Sequence, residues 1–134
     1  MTTQNIENEK FSLRKRLKSF SYAFNGLKIL INEEHNSRIH IAVAVLVIIA
    51  GFGFKISSIE WLAVVLCIGF VFVLEIINSA LENLCDFVSP ERNETIKKVK
   101  DLSAAAVLIS AITSVIIGVI IFLPKINLLI KKII

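Results

Sequence analysis

Apolar residues run along this chain in three long blocks, and what separates the blocks differs from gap to gap. The first block covers residues 39–54, the second opens at Trp61 and stays apolar to Leu74, and the third covers residues 102–123. Runs of this length and purity predict membrane-spanning helices over about 39–54, 61–88 and 102–123. Ahead of them, Phe11, Leu13, Leu17, Phe20, Phe24, Leu27 and Leu30 recur at mostly three- and four-residue steps, with Arg14, Lys15, Arg16, Lys18 and Lys28 between them. That pattern predicts a basic amphipathic helix over 11–32 lying in the membrane interface. Lys55, Ser57 and Ser58 form a tight turn between the first two spans, and Trp61 is placed as an interfacial anchor. Pro90 stops the second helix, ERNETIKKVKD follows as a charged segment, and Pro124 ends the third span. The remainder, INLLIKKII, reads as a short amphipathic piece with an interfacial location.

Composition agrees. Hydrophobic residues make up 55% of the 134, above the usual ~45–50% of soluble domains, and the mean hydropathy is +0.76. A single membrane-embedded domain over 1–134 is the natural reading. No apolar stretch lies near Met1, so the first span is expected to serve as its own insertion signal. The net charge of +4 is a topology signal and gives no reason to invoke nucleic acid. Seven Lys and Arg precede residue 39, four lie in 87–100, and the turn after the first span has only Lys55. The N-terminus and the 87–100 segment are therefore expected in the cytoplasm. The tail is then outside, with Lys125, Lys131 and Lys132 running against the rule. Cys67 and Cys85 fall 18 residues apart on one predicted helix; at ~27 Å they are too far apart to bridge and read as packing residues.

The informative feature is an acidic stripe on the second membrane helix. Glu75, Asn78, Glu82 and Asp86 are spaced by 3, 4 and 4, which puts them within an arc of roughly 80°. Glu75 follows fourteen apolar residues, and an ionisable group at such depth usually faces protein or a wet cavity and has a task. Interhelical glue would need partners, and the other spans offer few besides His40 and hydroxyls. Carboxylates sharing a face repel unless a cation joins them, and a divalent ion with oxygen ligands, most simply Mg2+ arriving with phosphate, meets that need. Glu34, Glu82 and Asp101 could meet near the cytoplasmic surface, and carboxylates beside Lys100 suit a nucleotide–metal complex. Glu75, deeper and partly desolvated, suits a general base acting on a hydroxyl, and a lipid alcohol brings its hydroxyl to that depth unaided. No GxxxxGK[ST] loop is present, so any nucleotide chemistry does without a P-loop. Two other classes compete: a small ion-coupled transporter with Glu75 as proton carrier, and an assembly subunit without chemistry. The first has no use for Lys100-Asp101 outside the membrane.

At these residues the sequence resembles the small prokaryotic membrane kinases of the diacylglycerol kinase and undecaprenol kinase family. The family's E-x-x-N-[ST]-A-[IL]-E-x-x-x-D motif stands here from Glu75 through Asn78, Ser79 and Glu82 to Asp86. Its K-D-x-x-[AS]-A-A-V-L motif runs from Lys100-Asp101 to Leu108. Asn25-Gly26-Leu27 and the run Glu34 to His40 also match, without gaps from about Phe11 to Leu123. The resemblance implies an all-α integral-membrane homotrimer, with three membrane helices and a surface helix per subunit and active sites shared between neighbours. It implies that Glu75 is the catalytic base with Asn78 beside it, and that Glu34 and Glu82 hold Mg2+ through ATP phosphates. It further implies nucleotide contacts at Lys15, Tyr22, Glu34, Glu82, Glu91, Lys100 and Asp101, and lipid contacts at Glu75, Arg38 and Ala104. The implied setting is the bacterial cytoplasmic membrane. Lys15 stands where the family often has arginine, Ser79 where threonine is commoner, and His40 where the enterobacterial diacylglycerol kinases carry an acid. The acceptor is left open between undecaprenol and diacylglycerol.

Overall fold

Each apolar block becomes part of a helix longer than the block itself. The structure, a computed structural model, describes residues 13–91 and 93–134, with side chains from Arg16 onward. Helix α1 spans Leu13–Glu33, α2 His35–Gly53, α3 Ser58–Val88 and α4 Glu94–Ile133, and no strand occurs among the described residues. The beginning of the predicted surface helix, at Phe11, lies outside the described residues. Helices α2, α3 and α4 are each long and apolar enough to cross a bilayer. Helix α1 leaves Leu17, Phe20 and Phe24 exposed at 65–70% while burying Leu30, an apolar face the chain itself does not cover. This is a membrane protein, and most of the large apolar side chains on its helices are exposed within the single chain.

Two elements depart from expectation. Helix α4 begins at Glu94, inside the stretch read from sequence as a charged connection. Asn93 Oδ1 accepts from the amides of Thr95 and Ile96 at 2.8 and 3.3 Å, satisfying two of the donors that a helix start leaves open. Lys97 then bonds Asp101 one turn on, at 2.7 Å. Pro124 does not end α4 either, since the helix continues through it to Ile133. The ring removes one ladder hydrogen bond, and Lys125 Nζ reaches Glu60 Oε1 at the start of α3, at 3.0 Å, tying the residue after the proline to that helix.

Helices α3 and α4 form the main antiparallel pair, clamped by Lys100–Asp86 at one end and Lys125–Glu60 at the other. The two lysines are 25 positions apart on one helix, or about 37 Å, spanning the ~30 Å hydrocarbon core with a little to spare. Helix α2 packs on α3 and stands clear of α4. A groove of about 340 Å³ therefore runs between them, lined mostly by aliphatic side chains, with His40 among them.

The α2–α3 turn is tightly built. The amide of Ile56 bonds the Gly51 carbonyl and that of Lys55 the Phe52 carbonyl, the paired pattern that closes many helix C-termini. Lys55 sits at the left-handed position with φ 51°. Ser57 and Glu60 then exchange side-chain-to-backbone hydrogen bonds in a complete capping box for α3. Gly51 lies against Trp61, and a Cβ there would come within 2.7 Å of the indole. Ile56, Val64 and Ile121 form the buried cluster at this end, with Trp61 and Phe122 packed on it.

Candidate active site

The site begins at the joint between α1 and α2. Only Glu34 is non-helical there, with φ −95° and ψ 115° as the N-cap of α2, and its side chain makes no capping bond. The carbonyls that α1 leaves open at its C-terminus are met by residues of α2 instead. Ser37, fully buried, donates its hydroxyl to the Leu30 and Glu34 carbonyls at 3.0 and 2.9 Å. Arg38 donates Nε to the Ile31 carbonyl at 2.9 Å and a terminal nitrogen to the Asn32 carbonyl at 2.6 Å. The corner is thus closed without the Glu34 carboxylate, which is left to reach α3. There its Oε1 accepts from the Ser79 hydroxyl at 2.7 Å, a charge-assisted bond joining two elements 45 residues apart.

On α3 the stripe holds together. Glu75 is 3% exposed and Ser79 5%. Asn78 Nδ2 donates to Glu82 Oε1 at 3.0 Å, while Asn78 Oδ1 is buried with no partner among the described residues. Asn83 Nδ2 bonds the Ser79 carbonyl at 3.0 Å. Glu34, Glu82 and His40 are the neighbours whose charge bears on the Glu75 carboxylate. Farther out, Asp86 Oδ1 accepts from Lys100 Nζ at 2.8 Å. The set grades from a buried carboxylate within the bundle to an exposed ion pair at its end.

The structure therefore brings together Glu34, Glu75, Asn78 and Glu82 within the chain, and links Lys100 to the same ridge through Asp86. Asp101 turns away and engages Lys97 on its own helix, so it does not join Glu34 and Glu82 in a single chain. Tyr22 is 62% exposed on α1, with Lys18 Nζ 5.8 Å from its ring centre. Glu91 is exposed in the α3–α4 connection, and Ala104 is exposed on α4. Arg38 is occupied at the corner. The side chain of Lys15 lies outside the described residues. Sequence reasoning passed over Ser37 and gave Ser79 no task. The hint for Ser79 was its place four residues after Glu75, hence on the same face.

Whether these residues suit a divalent ion can be judged on their chemistry. Among the described residues no three His, Cys, Asp or Glu side chains form a complete cage. Glu34 and Glu82 each have one oxygen engaged by a neutral donor, and the amide that bonds Glu82 has its own Oδ1 buried without a partner among the described residues. An incomplete, oxygen-only set fits a hard cation that keeps most of its shell as phosphate and water.

The family model for prokaryotic diacylglycerol kinase matches residues 21–122. The chain belongs to that family. Among its relatives, the undecaprenol kinase of Bacillus subtilis is 38% identical over 125 residues, covering 93% of this chain and 99% of that protein. The diacylglycerol kinase of Synechocystis is 37% identical over 109 residues, covering 81% of this chain and 62% of its own longer length. That of Escherichia coli K12 is 30% identical over 112 residues, covering 83% and 91%. The match to the prokaryotic diacylglycerol kinase family takes in the α1–α2 corner, all of α3 and the first three-quarters of α4, and so every residue of the ridge.

Proposed function

We propose that this protein is a lipid kinase that transfers the γ-phosphate of ATP to the hydroxyl of a membrane lipid alcohol, undecaprenol or diacylglycerol. The observation that carries the reading is the Glu75 carboxylate, buried at membrane depth beside Glu34 and Glu82, on a ridge whose Asn78 Oδ1 has no partner among the described residues. The family membership points to the same activity and gives a transporter no support.

Glu75 accepts the proton of the lipid hydroxyl as its oxygen bonds to the γ-phosphorus. The bond from phosphorus to the β–γ bridging oxygen breaks and ADP leaves. Asn78 orients the ridge through its bond to Glu82. Glu34 and Glu82 would hold Mg2+ together with the ATP phosphates; when bound, the ion neutralises charge on the oxygens between donor and acceptor. Lys100 contributes a cation at the nucleotide end, with Lys15, Tyr22, Glu91 and Asp101 as further nucleotide contacts and Arg38 and Ala104 as lipid contacts. Tyr22, Glu91 and Asp101 stand apart from the ridge within one chain, which supports active sites completed by a neighbour in a homotrimer. The prokaryotic family supports a bacterial cytoplasmic membrane setting, and the lysine and arginine distribution supports an orientation with the N-terminus and the ridge's open end facing the cytoplasm.

The test is purified protein in lipid nanodiscs supplied with γ-labelled ATP, Mg2+ and either undecaprenol or diacylglycerol. Label is expected in at least one lipid, with the ratio naming the acceptor. Label in neither, with ATP intact or merely hydrolysed, would remove the kinase reading.

A further inference from the structure

The family match stops at residue 122, yet α4 runs on to Ile133. The 40-residue helix is about 60 Å long, twice the ~30 Å hydrocarbon core. Residues 102–123 already suffice to cross it. Everything beyond Pro124 must therefore sit in or past the headgroups. Those residues are not built for water. Ile126, Leu129, Ile130 and Ile133 share one helical face, and they are 39%, 48%, 47% and 76% exposed. Lys131 and Lys132 lie on the other side, both exposed, with Asn127 and with Leu128, itself 68% exposed, between the two lysines. Lys125 is different in kind, being tied to Glu60 at 3.0 Å, which fixes the helix just after the proline. Pro124 leaves the Ile120 carbonyl without its ladder partner, which makes this the point where α4 bends most readily.

We propose that residues 126–134 form a membrane-surface anchor that lies along the headgroups and binds anionic phospholipid through Lys131 and Lys132. The apolar face goes into the acyl boundary and the two ammonium groups meet the lipid phosphates, an arrangement that needs both buried area and opposite charge. It also gives a task to lysines that the topology rule places on the wrong side of the membrane. The inference does not depend on the kinase reading, and its test reads no activity.

Amide hydrogen exchange of segment 126–134 is followed in the full-length protein, in nanodiscs of phosphatidylcholine alone or with added phosphatidylglycerol. Exchange should be about tenfold slower with the anionic lipid. Lys131→Glu/Lys132→Glu should abolish the difference, as should roughly 1 M salt, while exchange in α3 stays unchanged as a check on folding. Lys131→Gln/Lys132→Gln, which removes the charge without reversing it, should abolish the difference as well. Equal exchange in the two bilayers would overturn the proposal. So would a difference that survives charge reversal, or slowing that follows the number of chains per disc rather than lipid charge, which would assign this face to a second copy.

Discussion

The two ends of the α3–α4 pair each carry a lysine–carboxylate bridge, and there the likeness stops. At the Glu60 end the polar groups near the bridge answer one another. Ser57 and Glu60 close the capping box, Lys125 takes the remaining Glu60 oxygen, and Gly51, Ile56 and Trp61 pack tightly. At the Asp86 end the bridge is only the outermost member of a set that does not close. Glu34, Glu75 and Glu82 share one neighbourhood, and Asn78 Oδ1 has no partner among the described residues. An end that closes on itself is a joint, and an end with a buried carboxylate and an unanswered amide oxygen among its described residues is the better candidate for chemistry.

Substitutions should keep the two ends apart. Glu75→Gln is expected to lower kcat by about 10³-fold or more, the range for losing a general base, with nucleotide still bound in an equilibrium titration; near-normal turnover would take Glu75 out of the mechanism. Glu82→Gln, which keeps a hydrogen-bond acceptor for Asn78 but loses the charge, should raise the Mg2+ concentration for half-maximal rate at least tenfold, about 1.4 kcal/mol. Ser79→Ala should cost about 1.5–3 kcal/mol through loss of a hydrogen bond to a charged group, seen as a several-fold or greater fall in rate. Ser79→Thr should restore it. At the other end the signs change. Gly51→Ala should lower the unfolding midpoint in detergent, with overpacking against Trp61 worth about 1–3 kcal/mol, and leave kcat alone. Lys55→Gly should raise stability by about 1 kcal/mol by relieving the left-handed backbone, again with kcat unchanged. A closed-end variant that lost activity without losing stability would break the contrast.

The ridge was legible because it depends on one helix, and helical spacing converts sequence to geometry directly. The three spans were legible for the same reason. What was hidden lies between elements. Ser37 and Arg38 bond carbonyls six and seven residues back across a chain reversal, and no periodicity announces that. Asp101 was expected beside Glu82, but its neighbour Lys97 offered an intrahelical partner first. Pro124 reads as a stop by propensity, yet the helix goes on through it, with Lys125 bonded to another helix.

The single non-helical residue between α1 and α2 has a mechanical meaning. Ser37 and Arg38 weld the two rods into an elbow, and from its vertex the Glu34 side chain extends to Ser79 on α3. Any rocking of α1 about this elbow is passed to one carboxylate oxygen and, through the Ser79 hydroxyl, to the polar face of α3.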